Sequence, residues 1–552
     1  MLCPDKRGLA GKMRQLQAKK EIDALKRIVF LIMASLLVIG LILPGCGEAT
    51  PKPVLYVFEG GKINVGIAGE LNQTAGAMQW TSATLAQEAI NRNGGVNIGG
   101  VSYILELVPI ETGEETVDPS GLTGVSALTA AINNVDFILG GFRTEAVKIY
   151  RDVAMEKGVI FIDCGAATET LQHSVVDDYA SYRFWFKGTP YNEYFSGQSV
   201  VRTLGAVAMK LREGMGVAAN YTLNATIIAD NLPWAYEQVA VIQRLLPSVG
   251  VNPTRSFWVS SQGDSAEMVS TLTSIAGLDP QFIIPIFSAD AGVLYDALRA
   301  SYVPNAMSVG INVMAELKAP WGVGNLTTPP PGGPACAYEV ILDTWAEGLN
   351  QTSQTAAFLA AFMNSTSGEY PLDTAGTYDA LFVLKAAIEA VAKYDAEKGV
   401  AYTSADDIIK WLEDPVNAQV TTTGNITYYP RPGTTAAGKP ALTEAQVRSL
   451  YDLDSYNYTY TYDVMDWTMP AHTTHDLVYG PGRLTGIGAQ WQWVGNETAG
   501  QWEKVAVWPM YFGDEYDEAL TDQYGCWNFA YNGTKALVIP QNVICHFFPP
   551  CP

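Results

Sequence analysis

The stretch Ile138–Leu171, ILGGFRTEAVKIYRDVAMEKGVIFIDCGAATETL, decides the fold. A short apolar run ends in the glycine pair Gly140-Gly141. A segment of helical period opens at Thr144 and closes at Lys157-Gly158, and a second apolar run, Val159–Asp163, stops in another small-residue turn, Gly165-Ala166-Ala167. The same rhythm continues on both sides. Upstream, Lys62–Ala68 reads as a strand, Ala77–Asn91 as a helix closed by Gly94-Gly95, Tyr103–Pro109 as a strand, Leu122–Asn133 as a helix and Phe137–Leu139 as a strand. Strands that alternate with helices imply a parallel sheet covered on both faces.

A second series repeats the pattern. Asn192–Leu211, Trp234–Leu246, Met268–Ala276 and Gly292–Ala300 read as helices, and Thr226–Ala229, Ser256–Val259, Phe282–Ile286 and Met307–Val313 as strands. The aromatic segment Tyr182–Gly188 between the two series reads as a crossover. Further on, Ala337–Leu349, Gln354–Met363, Thr374–Lys393 and Ser404–Trp411 are expected helices, the last opened by a serine cap, and Val420–Tyr429 a strand. Beyond Pro430 the chain becomes rich in Tyr and Trp, with strands expected near Tyr456–Val464, Gly488–Trp493 and Lys504–Trp508. Residues 510–552 read as an irregular lid or tail. The fold class is therefore α/β, two doubly wound parallel-sheet lobes followed by a β- and loop-rich C-terminal extension.

The N-terminus points to export. Arg27 is followed by the apolar run Ile28–Leu43 and then by Leu43-Pro44-Gly45-Cys46. That run is roughly 24 Å of helix, short for a bilayer core, which needs about 20 residues. Small residues before a cysteine fit a cleavage site and lipidation at Cys46. Retention of the run as an anchor helix is the alternative, because the basic leader is long and Pro44 is unusual there. A later start at Met13 would explain the long leader. In either case the bulk of the chain works outside the cytoplasm, at the membrane surface.

The formal charge is −22, and Met1–Arg27 carries eight basic and three acidic residues, leaving −27 for the remainder. Such a surface excludes nucleic-acid binding and favours solubility. Nearly half the residues are hydrophobic, so the chain is globular, and its length calls for more than one domain. Cys164 sits in an apolar strand and reads as a core thiol. Cys336, Cys526, Cys545 and Cys551 lie in loop-like exported sequence, where a Cys526–Cys545 or Cys526–Cys551 disulfide would staple the tail. A zinc site from the tail cysteines and His546, or a metal pair His472 and His475, matches no established spacing. Sequons recur, among them Asn72, Asn220, Asn325 and Asn457, and would be glycosylated if the cell modifies exported protein.

In open α/β sheets ligands bind beyond the carboxyl ends of the strands, where helix N-termini offer backbone N–H groups to an anion. The candidate loops are Gly69–Trp80, Gly140–Glu145 and Gly165–Thr170 in the first unit. In the second they are Asp230–Trp234, Phe287–Asp290 and Asn312–Glu316. Within them Thr144 and Thr168 could cap helices instead, Trp80 and Trp234 could pack in the core, and Arg143 could grip an anion or form a surface ion pair. No phosphate loop, dinucleotide fingerprint or nucleophile elbow occurs, and the four histidines have no evident nucleophile partner. Neither an enzyme nor a cofactor is expected.

The stretches KINVGIAGELNQTAGAMQWTSATLAQEAINRNGGV (62–96), 138–171 and TYDALFVLKAAIEA (377–390) resemble the type I periplasmic-binding-protein-like solute receptors of ABC transporters, in the branched-chain amino acid branch. THDLVYGPGRLTGIGAQWQWVG (474–495) resembles a C-terminal element of some extended members. The resemblance implies two lobes joined by three crossovers, with hinge closure on a ligand. It places the ligand carboxylate on Thr144, Ala166 and Thr168, a covering aromatic at Trp234 and a second aromatic at Phe287, with Trp80 a further candidate. The acidic residue expected to pair with an ammonium aligns with Asn312, so Glu316, Asp290 or Glu70 must substitute, or the ligand is not an ordinary amino acid.

The expected organisation is a leader (1–45), a tether (46–61), one lobe from 62–186 with 335–417, another from 187–330 with 418–509, and a tail. The expected function is a monomeric solute-binding lipoprotein on the extracytoplasmic face of the membrane, passing a small polar solute to an ABC permease. A sensory ectodomain of the same fold, or an exported α/β enzyme, are the alternatives.

Overall fold

The computed structural model describes residues 54–189, 192–288, 290–318, 326–330, 333–429, 474–479, 484, 486–496, 499–508 and 535–547. The leader, Cys46, His472, Cys526, Cys551 and the expected strand at 456–464 lie outside them. Among the described residues no helix is long and apolar enough to cross a membrane.

The first sheet starts at β2 (Lys62–Gly69), preceded by β1 (Leu55–Phe58), which belongs to a small separate sheet. After β2 come α1 (Thr74–Arg92), β3 (Val96–Ile98), β4 (Val101–Glu111), α2 (Leu122–Ala131), β5 (Phe137–Gly140), α3 (Thr144–Lys157), β6 (Phe161–Asp163), α4 (Thr170–Asp177), α5 (Tyr179–Tyr182) and β7 (Trp185–Lys187). The strand order is β3-β4-β2-β5-β6-β7, parallel except for the β3–β4 hairpin. β5 is buried at all four positions, as expected for a central parallel strand. Its end is a glycine requirement: Gly140 (φ 111°) and Gly141 (φ 89°) both take the left-handed region. A Cβ on Gly165 would meet the Gly141 carbonyl oxygen, so the loops after β5 and β6 can approach only as glycines.

The second sheet contains β8 (Leu223–Asp230), β9 (Val251–Val259), β10 (Phe282–Phe287), β11 (Met307–Asn312), β12 (Val340–Asp343), β17 (Ile487–Asn496) and β18 (Ala499–Trp508). Between them run α6 (Glu193–Met215), α7 (Pro233–Leu245), α8 (Ser265–Ala276) and α9 (Asp290–Tyr302). The order is β18-β17-β12-β11-β10-β8-β9, with β17 antiparallel to its neighbours β12 and β18 and the other pairs parallel. Pro285 sits inside β10, where it cannot donate to a ladder, and Gly310 of β11 lies against its ring and carbonyl, where a Cβ would clash.

Returning to the first sheet, α10 (Thr355–Ser365), α11 (Thr377–Val391), β13 (Lys393–Asp395), β14 (Val400–Ser404) and α12 (Ala405–Leu412) complete its cover, α11 packing along α1. The short pair β15 (Gln419–Val420) and β16 (Asn425–Ile426) follows, and α13 (Gln541–Phe547) closes the described chain. Where the sheets meet, the crossover segments lie side by side. Lys187 N–H donates to the His475 carbonyl (2.9 Å), Tyr429 N–H donates to that of Asp476 (2.9 Å), and the Phe186 ring stacks on His475 at 4.0 Å.

Four expectations change. Residues 55–58, inside the expected tether, form β1, which pairs with β14 from Leu55↔Ser404 to Phe58↔Ala401. Ala337–Leu349, expected as a helix, contains β12, whose four residues are all buried beside β11. A short apolar run such as Val340-Ile341-Leu342 suits either period, and the open edge of β11 settles it. Val420–Tyr429 is not one strand but the two-residue pieces β15 and β16 around a turn. Cys336, expected in a loop where a disulfide could persist, is a buried thiol in the core beneath β17 and β18, free like Cys164. In the tail, residues 535–538 bond to Ala506, Gln490 and Gln492 on the second sheet. Cys545 is disulfide-bonded, and Cys526, its expected partner, lies outside the described residues.

Candidate functional site

The carboxyl ends of both sheets face a shared cleft that opens to solvent. The first lobe contributes Phe142, Arg143, Thr144, Glu145, Gly165 and Ala167. The second contributes Trp234, Ser288, Ile311, Val313, Glu316 and Asp343. Asp373, in the single-turn helix Asp373–Gly376 before α11, faces the same space. An outer compartment continues it, sharing Phe142, Arg143, Ser288 and Val313 and adding Glu115, Ser261 and Asp290.

Backbone donors of four loops at this cleft, two of them at helix starts, are already bound by the protein's own carboxylates. Glu114, fully buried, accepts from the N–H groups of Phe142 (3.2 Å) and Arg143 (3.0 Å) at the start of α3. Glu115 accepts from Ala75 (3.2 Å) and Gly76 (2.9 Å) at the start of α1. Asp163 takes the N–H groups of Gly165 (3.3 Å) and Ala166 (3.0 Å) and pairs with Lys187 (2.7 Å). In the second lobe Asp230 accepts from the N–H and hydroxyl of Ser288, both at 2.8 Å. Burial pushes Glu114 and Glu115 up to about 7 and Asp230 up to about 6, against the lowering effect of these donors.

What remains unsatisfied are side-chain atoms. Arg143 Nε, Thr144 Oγ1, Glu145 Oε2, Trp234 Nε1, Glu316 Oε2 and Asp373 Oδ1 are buried without a hydrogen-bond partner. A folded chain rarely leaves such groups unless a ligand or water completes them. Arg143 stands 3.9 Å from Glu145, and Lys504 of β18 pairs with Asp343 while donating to the Glu316 carbonyl (2.8 Å). Burial, with Asp343 and Asp373 nearby, raises the Glu316 carboxyl; burial likewise pushes Asp373 up to about 7, with Lys187 opposing.

Of the residues expected at the site, Thr144 and Trp234 line the inner cleft, Glu316 does so from a substitute position, and Asp290 lines the outer compartment. The others are placed elsewhere. Ala166 is buried, its N–H bound to Asp163 and its carbonyl to Lys187. Thr168 is buried, its hydroxyl accepting from the Thr170 N–H (3.2 Å). Trp80 packs half-buried against the main core. Phe287 is fully buried beside Tyr295 (ring centroids 5.4 Å). Asn312 is buried and donates to Asp296 (3.1 Å). Glu70 accepts from the N–H groups of Glu115 and Thr116, both at 2.7 Å. His475 is buried between the Trp185 carbonyl (2.9 Å) and Glu413 (2.7 Å), and among the described residues no cluster suits a metal ion.

Asp343, Asp373 and Lys504 escaped the sequence reading. A signal existed for two of them. Asp343 closes the run Val340-Ile341-Leu342, and Lys504 opens Val505-Ala506-Val507, so each is a lone charge on a buried strand that needs a partner.

Neither a protein-family model nor a curated protein sequence matches the chain. Solved structures do. A protein of Silicibacter pomeroyi named for a branched-chain amino acid ABC transporter shares 14% identity at a TM-score of 0.53, over 82% of this chain and 98% of that one. The substrate-binding protein LivJ of Streptococcus pneumoniae, in complex with isoleucine, shares 16% at 0.48, over 66% and 92%. A solute-binding protein of an R. palustris ABC transporter, in complex with benzoate, shares 16% at 0.46, over 60% and 81%. The fold is that of the type I periplasmic binding proteins.

Proposed function

We propose that the protein captures a small polar solute, an amino acid or a related carboxylate or amide, between its lobes and hands it unaltered to an ABC permease. The observation that carries this reading is a cleft lined from both sheets in which six buried polar atoms have no partner of their own. Capture needs two walls and polar groups fixed in advance, which the cleft supplies without a reactive constellation, and closure on the guest that excludes water. In this reading the first sheet with its covering helices acts as one jaw and the second sheet as the other; the segment around β12, expected with the first lobe, goes with the second, because β12 pairs with β11 and β17. A lipid on Cys46 holds the protein, as a monomer, at the outer face of the membrane. The likeness in fold to the Silicibacter protein supports the assignment.

Native mass spectrometry of the purified chain should reveal a co-purified small molecule, and candidate solutes should raise the melting temperature without being consumed. Turnover of any of them would overturn the reading. Cys46→Ser should release the protein from membranes; continued association would favour a retained anchor helix.

A further inference from the structure

The inner cleft carries an unbalanced negative charge. Four carboxyl groups line it, Glu145, Glu316, Asp343 and Asp373, against one guanidinium, Arg143. Arg143 stands beside Glu145, and Lys504 neutralises Asp343. Lys187, the other buried cation nearby, is bonded to Asp163. Glu316 and Asp373 are left, each with a buried oxygen that no donor reaches, and Glu316 is only 2% exposed. They come from opposite walls. Glu316 ends the single-turn helix Val313–Glu316 after β11, and Asp373 begins the turn packed on α1. An anionic guest, by contrast, would find the backbone donors of Ala75, Gly76, Phe142, Arg143, Gly165, Ala166 and Ser288 already taken by Glu114, Glu115, Asp163 and Asp230.

We propose that the cleft selects a solute of net positive charge, whose alkylammonium group sits between Glu316 and Asp373 and draws the two lobes together. This rests on the solute-capture reading and narrows it. Two facing carboxylates repel across a closing cleft unless a cation or a shared proton lies between them. An alkylammonium removes the repulsion and donates to both, so its binding energy is realised only in the closed state. In the empty protein burial favours the protonated acids, which makes cation capture release a proton. The charged and titratable groups that face the pair are Asp343 and Lys504 from β12 and β18, Lys187 and Asp163 from β7 and β6, Arg143 and Glu145 from α3, and the Tyr370 ring, over which Lys504 lies at 4.7 Å. Asp373 gives up its proton near pH 7, so affinity should strengthen as pH rises through about 7.

The test is calorimetric titration with L-lysine, its uncharged-chain counterpart L-norleucine, and putrescine. Lysine or putrescine should bind at least about 30-fold tighter than norleucine. Lysine above putrescine would show that Arg143 and Thr144 also read a carboxylate, and the reverse that the cation alone is read. Glu316→Gln and Asp373→Asn should each abolish the preference without lowering the melting temperature. Norleucine equal to or better than both cations, or an undiminished preference in both variants, overturns the proposal and leaves solute capture standing. Failure of cationic, neutral and anionic solutes alike to bind overturns solute capture itself.

Discussion

Trp234 and Phe287 show how one side-chain type can serve two ends. Both are aromatic and both stand at the carboxyl end of a strand of the second sheet, yet Trp234, just beyond β8, is half-buried at the cleft with an unpartnered indole N–H, whereas Phe287, the last residue of β10, is sealed in the core under α9. Trp234→Ala should weaken ligand binding by about tenfold or more, read by calorimetry. Phe287→Ala should leave affinity alone and cost about 3–5 kcal/mol of stability in denaturant unfolding. The opposite pattern would exchange their roles. Sequence could place both after strands but could not tell them apart, because exposure depends on which face of the loop meets the other lobe. The same limit applies to Thr144 and Thr168: one hydroxyl reaches the cleft and the other turns back onto its own backbone. Asp373 gave no local signal, since its part depends on a wall contributed by residues more than fifty positions away.

At the scale of elements, the alternation of strand and helix was legible wherever a segment had room to show its period. β2, α3, β10 and α11 lie within a few residues of their expected bounds. β12 was not legible, because three apolar residues and an aspartate carry no period, and β1 was not, because its partner β14 follows more than three hundred residues later. β1 is nonetheless firmly held. Tyr56 Oη donates to the Gly158 carbonyl (2.9 Å) and accepts from the Ile160 N–H (3.0 Å), tying the strand to the turn between α3 and β6. Tyr56→Phe leaves that buried N–H unsatisfied and should cost about 1–2 kcal/mol in chemical denaturation. A loss below the detection limit would mean that β14 alone secures the strand.

Across the whole molecule the distinctive property is buried acid. Glu114, Glu115, Asp373 and Asp476 are pushed by burial up to about 7, and Asp136 and Asp230 up to about 6. Each binds its proton more tightly folded than unfolded, where the values are 4.5 for Glu and 3.8 for Asp. Their stabilisation is therefore complete below the unfolded values and is lost as pH rises through 6 to 7. The net charge of −22 acts in the same direction, since acidification relieves self-repulsion. The melting temperature should rise between about pH 8 and pH 5; calorimetry showing a fall over that interval would mean these carboxyls are ionised and better paired than the geometry indicates. Composition announced the acidity, but only the fold separates solvated carboxylates from those that hold the loops of the cleft.

The strand Leu55–Phe58 has one mechanical consequence. It is stitched to the β14 side alone, so any leash upstream of residue 54 loads only that half of the clam. Were the chain tethered there, as proposed above, the half built on α6 and β8–β12 would be the one at liberty to swing.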